Sequence, residues 1–134
     1  MTKLLDIEGI GPVYAEKLTG AGVKSIEGLL ELGATPKGRE ELAEKSGISK
    51  ALILEWVNHA DLFRIKGVAE EYSDLLEEAG VDTVVELANR RPDNLHAKML
   101  EVNEEKKLVR RPPSLKEVEK WVAQAKKLPR AVHY

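Results

Sequence analysis

Gly9-Ile10-Gly11, followed by Pro12-Val13-Tyr14-Ala15-Glu16-Lys17-Leu18, is the stretch of this chain best suited to chemistry. Two glycines around one apolar residue permit a turn with positive φ and a close approach of backbone to a ligand. Ile10 is placed to anchor that turn in the core. The first amides of the helix that follows have no acceptor within the helix, and the helix dipole favours an anion in front of them. Such a site suits a backbone phosphate and carries no base information. Lys17, about a turn into the helix, and Lys50, just after Ser49, are placed to supply countercharge. A Gly-x-Gly turn is also a plain helix connector, and Asp6, Glu8 and Glu16 lie close by in sequence.

The pattern recurs 58 residues later as Ile65-Lys66-Gly67-Val68-Ala69. The register then holds through Tyr14/Tyr72, Leu18/Leu76, Gly22/Gly80, Val23/Val81 and Leu29/Leu87, which predicts two copies of one supersecondary unit. The copies differ where it matters. Ala69 stands in place of the second glycine and Glu70-Glu71 follow it, so the second turn reads as structural rather than anion-binding. Tyr14 and Tyr72 read as packing residues ahead of base stackers, and Trp56 and Trp121 as core.

Other chemistries lack their residues. There is no cysteine, which removes disulfides, thiolate metal sites and thiol nucleophiles and fits a reducing compartment. His59, His96 and His133 are scattered. No Walker loop is present, and Gly9-Ile10-Gly11 has neither the preceding strand nor the third glycine of a dinucleotide fingerprint. No enzymatic activity, metal or cofactor is expected. The apolar runs are too short to cross a membrane. Met1–Leu5 leads straight into the first motif, which predicts no signal peptide. The expectation is a cytoplasmic protein.

The formal net charge of −2 argues against indiscriminate phosphate binding, but charge is unevenly spread. Residues 65–89 hold one basic and seven acidic side chains, and residues 90–134 hold twelve basic and six acidic ones. Arg110, Arg111 and Lys116 lie in the most basic stretch and are a second candidate for phosphate contact. A charge run of this kind is also an ordinary solvated face.

The elements that must position these residues are all helical, since strand-type alternation is absent. Gly11-Pro12 opens a helix with Val13, Tyr14, Leu18 and Ala21 on one apolar face, and Gly22 closes it. Ser25, Thr35-Pro36 and Ser49 start the next three helices, and Thr83, Pro92 and Ser114 start helices in the second copy. The charged stretch Glu104–Arg111 replaces the Gly47-Ile48-Ser49 turn, and Leu115, Val118, Trp121, Val122, Ala125 and Leu128 face inward on the last helix. From Pro129 onward the chain reads as a loose tail.

Gly9-Ile10-Gly11 with Tyr14, Ala15 and Leu18 resembles the helix-hairpin-helix motif, and Glu44–Ser49, with Gly47 and Ser49, is similar to a second hairpin of the same kind. Over nearly its full length the chain resembles a bacterial family of uncharacterised proteins with two such double-hairpin modules in tandem. The resemblance implies an all-α fold of two pseudo-repeated, SAM-like double helix-hairpin-helix modules packed together, residues 1–63 and 64–130. It also implies non-catalytic, sequence-independent binding of nucleic acid, DNA ahead of RNA. The residues it implicates are Gly9, Ile10, Gly11, Gly47 and Ser49, joined by Lys17 and Lys50 as countercharge and by Arg110, Arg111 and Lys116 from the charge pattern. Some relatives hold a monovalent cation on hairpin carbonyls. The alternative is a module for protein–protein interaction or self-association, with the acidic Glu70–Glu86 stretch facing a basic partner.

Overall fold

Prolines and side-chain caps set the helix boundaries. The computed structural model describes residues 3–68 and 70–134, the Glu70 side chain excepted. Among the described residues there is no strand. Helix α1 (Pro12–Gly20) starts on Pro12, where the missing N–H has no helical acceptor to lose. Helix α2 (Ile26–Leu32) is capped by Ser25, whose hydroxyl accepts the Gly28 N–H at 3.0 Å. Helix α3 (Pro36–Ser46) is capped by Thr35 through the Gly38 N–H at 3.1 Å. Helix α4 (Lys50–Leu62) is capped by Ser49 through the Leu52 N–H at 3.2 Å. Helices α5 (Glu70–Glu78) and α6 (Val84–Ala88) follow, the latter capped by Thr83. Helix α7 (Pro92–Lys106) starts on a proline, and α8 (Leu115–Lys127) carries the full Ser114–Glu117 capping box. No helix among the described residues is long and apolar enough to cross a membrane.

The chain divides into two units, Met1–Asp61 with Ala131–Tyr134, and Leu62–Arg130. In the first, α1 and α2 pack on α3, and Leu18, Val23, Leu29, Ile53 and Val57 are fully buried. Gly33 is confined by packing, since a Cβ there would lie 2.5 Å from Val57 Cγ2. The expected loose tail is instead docked in this unit. Val132 is buried, the His133 N–H donates to the Ala34 carbonyl at 2.7 Å, and the Tyr134 hydroxyl donates to Asn58 Oδ1 at 2.9 Å. Arg39 also holds the tail. Its buried guanidinium donates to the carbonyls of Gly33 (2.8 Å) and His133 (2.7 Å) and lies 5.9 Å from the Tyr134 ring centroid. Burial pushes the guanidinium below its ordinary value.

In the second unit α6 and α7 pack on α8, and α5 packs on α7. Leu75, Leu76, Val81, Leu87, Leu95 and Met99 form its fully buried centre. The charged stretch after residue 104 does not all replace a turn, because α7 runs on to Lys106 and ends on Lys107 with φ 52°. The connection beyond is pinned by Asn103. Its amide donates to the Val109 carbonyl (3.1 Å), and its oxygen accepts the Val109 N–H (2.9 Å). Two expected core positions are corrected. Val13 is 66% and Leu115 40% exposed, each in the first turn of its helix with its side chain outside the core.

Candidate nucleic-acid interface

The Gly9–Gly11 turn is built on a short 3-10 turn, Leu4–Asp6, which hands the chain to Ile7. The Ile7 N–H donates to the Leu4 carbonyl and the Ile10 N–H to the Ile7 carbonyl, each at 3.1 Å. Ile7 and Ile10 are both buried, so the turn is held from beneath. Gly9, between them, is exposed and has φ +95°. Gly11 is the N-cap of α1 with φ −88° and ψ −177°, extended backbone open to any residue. The first helical bond runs from the Ala15 N–H to the Gly11 carbonyl at 2.9 Å. The N–H groups of Gly11, Val13 and Tyr14 precede it, and Pro12 has none to offer.

The two glycines therefore serve different purposes. A Cβ on Gly9 would meet Trp56 Nε1 at 3.2 Å, and its φ is strained for any other residue. A Cβ on Gly11 would meet nothing within 4 Å. Nothing in the fold demands glycine at Gly11, yet its bareness keeps the approach to the helix amides open. Trp56 underlies the turn, with the Tyr14 ring 5.1 Å from it at 60°. Lys17 Nζ lies 6.0 Å from the Tyr14 ring centroid, which places the cation on the same face of α1.

Gly47, Ser49 and Lys50 lie on the α3–α4 connection. Gly47 is the C-cap of α3 with φ 73°, the left-handed conformation such a cap requires. The Ser49 hydroxyl already accepts the Leu52 N–H, and Lys50 is exposed in the first turn of α4.

The second unit has matching local geometry with different charge. Gly67 has φ +97°, and a Cβ there would meet Trp121 Nε1 at 3.0 Å. The Tyr72 and Trp121 rings are 5.2 Å apart. The Gln124 side chain brackets this turn, accepting the Lys66 N–H at 2.9 Å and donating to the Lys66 carbonyl at 3.1 Å. The position matching Lys17 is Leu75, fully buried. The expectation that Ala69 closes this turn to a ligand falls outside the described residues. Of the second basic candidates, Arg111 is engaged. Its guanidinium donates to both Glu117 oxygens at 3.2 Å, and its carbonyl accepts the Tyr72 hydroxyl at 2.9 Å. Burial pushes the Tyr72 hydroxyl above its ordinary value, and the Glu117 hydrogen bond raises Arg111. Arg110 and Lys116 are exposed.

Reading the two tryptophans as core alone missed where their polar atoms go. The signal was present in the sequence as a turn glycine and a mid-helix tryptophan in each unit, but only folding shows that the two meet. No solved structure matches the chain. A family described as a domain of unknown function (DUF4332) matches residues 8–128, and the chain belongs to that family.

Proposed function

We propose that the protein is a non-catalytic, cytoplasmic nucleic-acid-binding protein that grips DNA through backbone phosphates without reading sequence. In this reading both units are double helix-hairpin-helix modules, and Gly9–Gly11 is the principal contact. The observation that carries the proposal is Gly11, an extended N-cap glycine that neither backbone strain nor packing requires. A residue free to carry a side chain but lacking one suits a place where another molecule approaches the backbone. The helix amides and dipole favour an anion there by about 0.3–1 kcal/mol, and Lys17 adds charge on the same face. Arg110 and Lys116 supply the matching contact in the second unit, while Arg111 holds the loop through Glu117.

The test is fluorescence anisotropy with a mixed-sequence duplex across a salt series. Log affinity should fall linearly with log salt by about 0.9 per phosphate engaged. Gly11→Glu should abolish binding while the helical circular dichroism persists. A wild-type protein that ignores duplex DNA at low salt overturns the proposal. A second reading, a protein-interaction module, is favoured by the exposure of Leu5 (53%) and Val13 (66%) beside the hairpin. Light scattering with and without duplex separates the two, since a salt-insensitive dimer that ignores DNA supports this second reading.

A further inference from the structure

Each tryptophan carries one polar atom, and in both units that atom ends in the same place. Trp56 is 1% exposed and Trp121 3%. Among the described residues neither indole Nε1 has a hydrogen-bond partner, whereas every fully buried side-chain nitrogen or oxygen has one. The two nitrogens therefore reach the surface although their rings do not. A glycine lets them out. A Cβ would stand 3.2 Å from Trp56 Nε1 at Gly9 and 3.0 Å from Trp121 Nε1 at Gly67, and both glycines are exposed. The missing side chain is a window onto a donor that packing would otherwise seal.

An indole N–H only donates, and a buried tryptophan ordinarily finds an acceptor for it. Resting on the nucleic-acid reading above, we propose that the Trp56 indole N–H is part of the binding site and donates through the Gly9 window to a phosphodiester oxygen of the nucleic acid. An anionic acceptor is favoured by the free amides of α1 and by Lys17, against Asp6, Glu8 and Glu16 close by in sequence. The unbonded amides of α1 begin two residues after Gly9, and the Tyr14 ring leans on Trp56 at 60° with Lys17 Nζ 6.0 Å from its centroid. Ring packing on Tyr14 accounts for an aromatic residue in the middle of α4 but not for its N–H, which a phosphate oxygen accounts for. In the second unit the window is the same but Leu75 replaces Lys17 and two glutamates follow the turn, so the Trp121 donor meets a weaker claim on an anion.

The test is a heteronuclear NMR titration of the whole chain with a short mixed-sequence DNA duplex at low salt, following the two indole Nε1–H resonances. The Trp56 resonance should shift saturably together with the amides of Gly11 and Tyr14, and the Trp121 resonance should move far less. Trp56→Phe should weaken binding about tenfold, the loss of one hydrogen bond to a charged acceptor. If the Gly11 and Tyr14 amides move while the Trp56 indole stays still, or both indoles move equally, the indole donor is overturned and the hairpin site stands. If no resonance moves, both readings fall. Should Trp56→Phe not fold, the wild-type titration decides alone.

Discussion

Replacing the two hairpin glycines one at a time separates the demands of folding from those of binding. In Gly9→Ala the new side chain meets a backbone at φ +95°, which costs about 1–2 kcal/mol in the left-handed region. Its Cβ also lies 3.2 Å from Trp56 Nε1, so a buried ring packed on Tyr14 must give way, adding about 1 kcal/mol. The sum is about 2–3 kcal/mol. In Gly11→Ala neither cost arises, because φ is −88° and a Cβ has nothing within 4 Å. Alanine restricts the unfolded chain, a gain of about 0.4–1 kcal/mol, and is a poorer N-cap by a similar amount. The two changes should cancel to within about 0.5 kcal/mol. Urea titration followed by far-ultraviolet circular dichroism measures this directly. With a slope of about 1–3 kcal/mol per molar, Gly9→Ala should lower the midpoint by about 1 M and Gly11→Ala should leave it in place. Duplex affinity should separate from stability, with the well-folded Gly11→Ala binding several-fold more weakly. A Gly11→Ala protein as unstable as Gly9→Ala would falsify the division of labour between the two residues. Wild-type affinity in Gly11→Ala would remove Gly11 from the interface.

Four further perturbations test the frame around the site. Arg39→Met should destabilise the first unit by about 2–4 kcal/mol, since it removes two charge-assisted bonds and orphans the Gly33 and His133 carbonyls. Deleting Ala131–Tyr134 should show the same loss in thermal melts, and combining the two should add little more. Asn103→Ala should cost about 2 kcal/mol by freeing the buried backbone of Val109, read as faster amide exchange at that residue. The Glu117 carboxyl is held below its ordinary range by the Ser114 backbone N–H and by Arg111. A depressed carboxylate stabilises the fold above its unfolded pKa of about 4.3, and the gain is lost as pH falls through the lower folded value. Glu117→Gln should therefore be destabilising at pH 7 by urea midpoint, and the difference should shrink as the pH is lowered below the unfolded pKa.

The features legible in the sequence were those whose cause is local. Ser25, Thr35, Ser49 and Ser114 each close a hydrogen bond three residues along the chain, so residue type and spacing were enough to place four helix starts. Gly9 and Gly67 take positive φ because a tight turn before a helix leaves few other residues able to do so. The features that escaped depend on distant partners. Arg39 lies in a helix rich in glutamate and lysine, and one of the two carbonyls that hold its buried guanidinium, that of His133, is 94 residues away. Arg111 reads as a phosphate ligand, yet Glu117 lies beyond the Pro112-Pro113 break, where helical spacing rules give no hint of the pair. The hairpin falls between these cases. Its two glycines look equivalent in the sequence, and both suggest close approach of backbone to a ligand. Trp56, brought in from α4, divides them. It makes Gly9 necessary to the fold and leaves Gly11 only a modest N-cap preference, so the glycine the fold needs less is the one binding should need most.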